Sequence, residues 1–277
     1  MKVLFIGSGV FGSYVLRALA GTRHKVVAVV EVSRSKSSKR FLRQFLNCCP
    51  RFSRVYCLGK SKITKNALYD TIIKYGLHLV KFERLNDEKF LSWLKRKSPD
   101  MILVASCRVI FKKDLLNFPK LGCINCHPSL LPKYRGPDPF KAAILFGEKE
   151  TGITYHYMNE GIDTGSIIRQ DKITIQDDDT AGDLLEKYEP VIIKNLVSIL
   201  DDIEEGKVKA LEQSHSSSSY FRILPEEHVM INWTKKGADI YNQVRAITPL
   251  IKSYTFFNGS KLYLDKVSVC KTNNDPN

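Results

Sequence analysis

Five short apolar runs recur through the first half of the chain: residues 2–7 (KVLFIG), 25–30 (KVVAVV), 77–82 (LHLVKF), 101–105 (MILVA) and 121–126 (LGCINC). Each is too short for a helix of its own, and most are too uniformly apolar for a half-exposed strand. They read as strands buried on both faces. Helical spacing fills the intervals at about 12–20, 65–75, 86–97 and 112–117, the third capped by Asn86. Strand alternating with helix at this rhythm specifies an α/β fold with a doubly wound, mostly parallel sheet. After the second strand, SRSKSSKRFLRQF has the serines and charges of a loop opening a short basic helix.

From residue 151 the texture changes. TGITYHYM and SIIRQDKITI are β-rich, and the NEGIDTG between them reads as a hairpin or loop. Residues 180–205 form a long amphipathic helix. Residues 213–219, QSHSSSS, read as a Ser-rich linker. Beyond it the pattern gives one helix near 236–247 and strands at 252–257 and 261–269. The expected organisation is therefore a large domain over 1–212, a linker over 213–219 and a short β-rich C-terminal appendage over 220–277.

No apolar run approaches the roughly 20 residues that a spanning helix needs. Glycines at 7, 9 and 12 break the apolar N-terminus before it could serve as a secretory signal, so the expected location is the cytoplasm. Seven scattered cysteines then read as reduced thiols. Cys123-Ile-Asn-Cys126-His127 fits the C-x-x-C-H pattern of haem attachment, but a cytoplasmic chain lacks the export that haem attachment requires. Zinc would need a second ligand pair, and none is spaced for it, so neither haem nor metal is expected. The net charge of +14 is concentrated: residues 23–65 hold 12 Lys and Arg against the single acid Glu31. A field of that size attracts polyanions, and the same charges also serve as a solubilising surface.

Two motifs compete for the chemistry. Gly7-Ser-Gly9-Val-Phe-Gly12 fits G-x-G-x-x-G between a strand and a helix, and Glu31 lies 19 residues past the last glycine. That pattern reads equally as a dinucleotide site of an NAD-dependent oxidoreductase or as a tight strand-to-helix turn. Nothing downstream resembles a hydride-transfer site. The second motif is Asn125 and His127. Two apart on a strand, they point to one face, near the carboxyl edge where doubly wound sheets bind ligands. Asp163, flanked by Gly161 and Gly165, brings a carboxylate on another loop.

Asn125-Cys-His127-Pro-Ser-Leu-Leu-Pro-Lys-Tyr-Arg-Gly136 resembles the folate-dependent formyltransferase signature N-x-H-x-S-L-L-P-x-x-[RK]-G. Glu150-Thr-Gly-Ile-Thr154 and Met158-Asn-Glu-Gly-Ile-Asp-Thr-Gly165 resemble that family's two later motifs, in the same order. The resemblance implies a Rossmann-like formyltransferase domain that moves a formyl group from 10-formyltetrahydrofolate to a primary amine. It assigns catalysis to Asn125, His127 and Asp163: an amide donor for the oxyanion, an imidazole for proton transfer, and a carboxylate that orients it. It places folate against Val104, Cys107, Arg108, Val109, Ser129, Leu130, Leu131, Pro132, Tyr157 and Gly161. Acceptor contacts fall at Gly9, Phe11 and Arg135, and at Arg34, Lys36, Lys39, Arg40 and Arg43 of the basic stretch. The C-terminal segment, with Ile231-Asn-Trp233 and Ile240-Tyr-Asn-Gln-Val-Arg-Ala-Ile-Thr-Pro249, resembles members acting on methionyl-tRNA. Gly136-Pro-Asp-Pro139 departs from the Gly-Ala-Ala-Pro common in those members, and a nucleotide-linked amino sugar is the alternative acceptor. The oligomeric state is left open.

Overall fold

The computed structural model describes residues 1–33, 67–222 and 229–270. The five basic candidates Arg34, Lys36, Lys39, Arg40 and Arg43, with the expected basic helix, lie outside them. Each apolar run is a strand: β1 (Lys2–Gly7), β2 (Lys25–Val32), β3 (Leu79–Phe82), β4 (Met101–Ala105) and β5 (Cys123–His127). They interleave with α1 (Gly9–Ala20), α2 (Ala67–Lys74), α3 (Glu88–Lys97) and α4 (Lys113–Leu116), and all five pair in parallel. Next come α5 (Pro139–Leu145), β6 (Glu150–Tyr157), β7 (Ile167–Thr174) and α6 (Ala181–Glu204). The seven strands order as β3-β2-β1-β4-β5-β6-β7.

β6 runs antiparallel to both β5 and β7. The β6–β7 connection is too short for the dozen or more residues that a parallel crossover requires, so the chain must double back. α1, α2 and α6 cover one face of the sheet, where Leu184, Tyr188, Ile192, Leu196 and Ile203 of α6 fall at helical spacing into the core. A capping box of Thr180 and Asp183 starts that helix. α3 and α4 cover the other face through Phe90, Leu94 and Leu115.

α3 begins one residue later than the sequence suggests. Asp87, not Asn86, is the cap, accepting from the Phe90 amide. Asn86 instead accepts from the Lys112 amide and donates to the Ile110 carbonyl, both at 2.8 Å, and so braces the loop after β4. The C-terminal part carries α7 (Gly237–Arg245) and an antiparallel hairpin of β8 (Ser253–Phe257) and β9 (Ser260–Leu264), turned at Asn258 and Gly259 with positive φ. α7 is fastened to the start of α6, where Arg245 Nη1 donates to the Asp179 carbonyl at 3.0 Å.

Candidate active site

β5 delivers Asn125 and His127 to the face on which its first residue, Cys123, packs against α3 and α4; Ile124 and Cys126 enter the opposite core. β6 adds a third polar side chain. Its His156 pairs directly with Asn125 in the antiparallel register, and residues directly opposite share a face. No motif marks His156. The alternation of Thr154 and His156 along β6 was the only available signal, and reading it required the register.

Asp163 closes the group from the loop between β6 and β7. Its φ is +52°, a left-handed conformation uncommon outside glycine. Gly165 makes this turn possible, because a Cβ there would lie 1.8 Å from the Tyr157 carbonyl oxygen. The Asp163 carboxylate accepts from Asn125 Nδ2 at 3.1 Å and from the Gly136 amide at 2.8 Å. It stands 3.6 Å from His127 Nδ1 and 3.5 Å from His156 Nε2. Burial works to raise its pKa, but the two histidines and the Gly136 N–H outweigh burial and hold the carboxyl well below the usual range.

His127 is 4% exposed. Its Nε2 lies 2.9 Å from the Tyr134 carbonyl oxygen, which only accepts, so this nitrogen carries the proton. Burial pushes the imidazole pKa down, while the Asp163 carboxylate pulls it the other way. His156 Nδ1 donates to the Tyr157 carbonyl at 2.8 Å, which leaves Nε2 to accept from Asn125 Nδ2 at 3.2 Å. Both hydrogens of the Asn125 amide are thus directed at protein acceptors.

The 128–139 loop covers this group, and four side chains pin it. Tyr188 OH donates to the Pro128 carbonyl at 3.0 Å and Ser129 Oγ to the Lys133 carbonyl at 2.8 Å. Gln170 Nε2 donates to the Leu131 carbonyl at 2.8 Å, and Tyr134 OH to Glu148 at 2.7 Å. On the other side, Val104 pairs with Asn125, so the loop after β4 emerges beside the site with Cys107 and Val109 half-buried and Arg108 exposed. Leu130, Pro132 and Tyr157 are half-buried and Gly161 is exposed; the side chains of Val104, Ser129 and Leu131 are buried.

Two acceptor candidates are turned inward. Phe11 is in the core, edge-to-face with Tyr188 at 5.5 Å, because helix α1 presents that side to α6. Arg135 is also buried, and its guanidinium is drawn in by Gln213 at 2.7 Å. Gly9 is exposed at the start of α1.

The competing motifs find structural explanations. A Cβ on Gly7 would meet the Ala105 carbonyl oxygen at 2.5 Å, so this glycine lets β1 turn into α1 hard against β4. Glu31 is taken up by Tyr69, whose hydroxyl donates to it, and by Lys81 at 3.2 Å. Cys123 and Cys126 project to opposite faces of β5 and do not converge; burial pushes the Cys123 thiol up to about 12. Among the described residues no helix is long and apolar enough to cross a membrane.

Comparison with known proteins identifies the family. The family model described as formyl transferase matches residues 1–200, and that of the formyl transferase C-terminal domain matches 223–277. Methionyl-tRNA formyltransferase of Acetivibrio thermocellus is 30% identical over 274 residues, covering 99% of this chain and 82% of its own. That of Halalkalibacterium halodurans is 34% identical, with 97% and 79% covered. A solved sugar N-formyltransferase from a Shewanella species superposes with a TM-score of 0.66 at 22% identity, covering 98% of this chain and 99% of its own. With the first family model spanning well over half of its residues, the chain belongs to the formyl transferase family.

Proposed function

We propose that the protein transfers the formyl group of 10-formyltetrahydrofolate to the amino group of methionyl-tRNA in the cytoplasm. The observation that carries this reading is the meeting of Asn125, His127 and Asp163, from two separate chain segments, around one carboxylate. Two relatives at 30% and 34% identity that bear the methionyl-tRNA name support the acceptor. The folate cosubstrate supplies the activated one-carbon unit. The loop after β4 offers it backbone groups and half-buried apolar side chains beside Asn125, a surface suited to a bicyclic pterin.

Each residue then has a task. As the acceptor amine displaces the Tyr134 carbonyl, the His127 ring proton passes to Nδ1 beside Asp163. Nε2 then takes the proton of the attacking amine and returns it to the departing folate nitrogen. Asp163, ionised at neutral pH, orients the ring and stabilises its charged form. Asn125 turns one amide hydrogen from His156 toward the oxygen on which negative charge develops. Asp163 Oδ1, which accepts the other amide hydrogen, keeps Asn125 in register. Residues 1–212 carry this chemistry. The basic stretch of Arg34, Lys36, Lys39, Arg40 and Arg43 takes tRNA phosphates, and residues 220–277 handle the acceptor.

One observation favours the second reading, an amino sugar attached to a nucleotide. Gly136-Pro-Asp-Pro139 stands at the loop that covers the site, where Gly-Ala-Ala-Pro is common among the tRNA-acting members that the sequence resembles. Direct competition decides. The folate donor is supplied together with charged initiator tRNA and a panel of nucleotide-linked amino sugars, and formylated products are weighed by mass spectrometry. Formyl-methionyl-tRNA as the dominant product is expected; an amino sugar taking the formyl group in its place overturns the first reading.

A further inference from the structure

Gln213 opens the serine-rich stretch, yet it is 7% exposed and both ends of its side-chain amide are engaged. Nε2 donates to the main-chain carbonyls of Asp163 at 2.9 Å and Gly165 at 2.8 Å. Oε1 accepts from Arg135 Nε at 3.1 Å and Nη2 at 2.7 Å. One buried amide therefore joins two loops, the Asp163 turn and the stretch covering His127. We propose that Gln213 is a positioning residue for formyl transfer, locking the Asp163 turn against Arg135 and Gly136 and so fixing the carboxylate on His127. This rests on the reading of Asn125, His127 and Asp163 as the reacting groups.

Three observations favour this role over simple attachment of the linker. First, attachment is already secured by main chain: the Arg135 amide donates to the Ser219 carbonyl at 2.9 Å, and the Phe221 amide to the Arg135 carbonyl at 2.8 Å. Gln213 adds what those bonds do not supply, a tie to the Asp163 turn. Second, Asp163 sits in a left-handed conformation that persists only when its surroundings hold it, and both carbonyls Gln213 binds belong to that turn. Third, the bond from the Gly136 amide to Asp163 Oδ2, at 2.8 Å, exists only while the two loops keep their register. A shift of the turn moves the carboxylate from Asn125 and His127 together.

The test uses Gln213→Glu, Gln213→Ala and the near-isosteric Gln213→Met, with Asp163→Asn in parallel. Gln213→Glu keeps an acceptor for Arg135 but sets oxygen against the two carbonyls, so it loosens the Asp163 turn selectively. Each Gln213 variant that folds, by near-ultraviolet circular dichroism and urea midpoint, is expected to lose about ten- to a hundredfold in kcat, the scale of a displacement near 1 Å. KM for donor and acceptor stays within about threefold, since binding surfaces are untouched. The acidic limb of the kcat profile moves to lower pH, because a carboxylate drifting from His127 supports its protonated form less. A merely structural role would lower the urea midpoint without moving that limb. Unchanged kcat and limb in Gln213→Glu or Gln213→Met, with Asp163→Asn slow, overturns the positioning role alone. Full activity in Asp163→Asn overturns the reading of the site beneath it.

Discussion

Replacing Asp163 with Asn removes one charge from the site while keeping nearly all its volume and one acceptor oxygen for the Gly136 amide. The carboxylate stands 3.6 Å from His127 Nδ1, and at an effective dielectric near 20 it stabilises the imidazolium by about 4–5 kcal/mol. A proton-transfer step that builds that imidazolium loses up to about a few thousandfold when the charge is gone. The expected kcat for Asp163→Asn is lower by about a hundred- to a thousandfold, with the acceptor for Asn125 Nδ2 lost as well. The sign in pH follows from the same interaction. Burial already depresses the His127 pKa and Asp163 raises it, so without Asp163 the acidic limb of kcat moves further down. Stability changes in a different window. Because the folded Asp163 pKa is depressed, its contribution is fully present above the ordinary carboxylate pKa of about 3.9 and fades as pH falls through the depressed value. The stability gap between the native protein and the variant should therefore close below about pH 4. Single-turnover rates from about pH 5 to 9 measure the first, and urea midpoints from about pH 2 to 7 the second. A kcat within threefold of the native protein, or an unmoved acidic limb, refutes the argument.

Other expectations are simpler to test. His127→Asn should lower kcat at least about a hundredfold with a native near-ultraviolet spectrum; normal turnover removes the imidazole from the mechanism. Gly165→Ala puts a methyl group 1.8 Å from the Tyr157 carbonyl oxygen, so the turn must move. Urea denaturation should register a loss of about 1–3 kcal/mol, with a fall in kcat as Asp163 is displaced. Exchanging Arg34, Lys36, Lys39, Arg40 and Arg43 for serine should flatten the salt dependence of tRNA binding by about 0.9 in log–log slope for each phosphate no longer neutralised. A slope that stays put makes that stretch a solvated surface only.

The strands were legible because burial on both faces leaves an unbroken apolar run, and MILVA allows little else. The direction of β6 was not stated in its composition, since TGITYHYM is β-rich whichever way it pairs. Only the short connection to β7 hinted at a reversal. Asn125 and His127 could be placed on one face from their spacing alone, and Asp163 from its glycine-flanked turn. Asn86 and Asp87 both suit a helix start, and their order at the cap depended on the loop after β4, where Asn86 finds better partners. Arg135 and Phe11 carry the residue types of binding surfaces, yet both are drawn inward by partners far along the chain, Gln213 and Tyr188. Gln213 itself was hidden by its neighbours: a run of serines reads as spacer, and nothing local reveals a buried amide within it.

The Tyr134 carbonyl rests against the one His127 nitrogen that does not face Asp163. An imidazole held this way has no lone pair on that side to spare for a passing water molecule. On the function proposed above, an activated one-carbon unit in the cleft is thereby shielded from wasteful hydrolysis until an arriving amine takes the carbonyl's place and the ring proton passes to Nδ1.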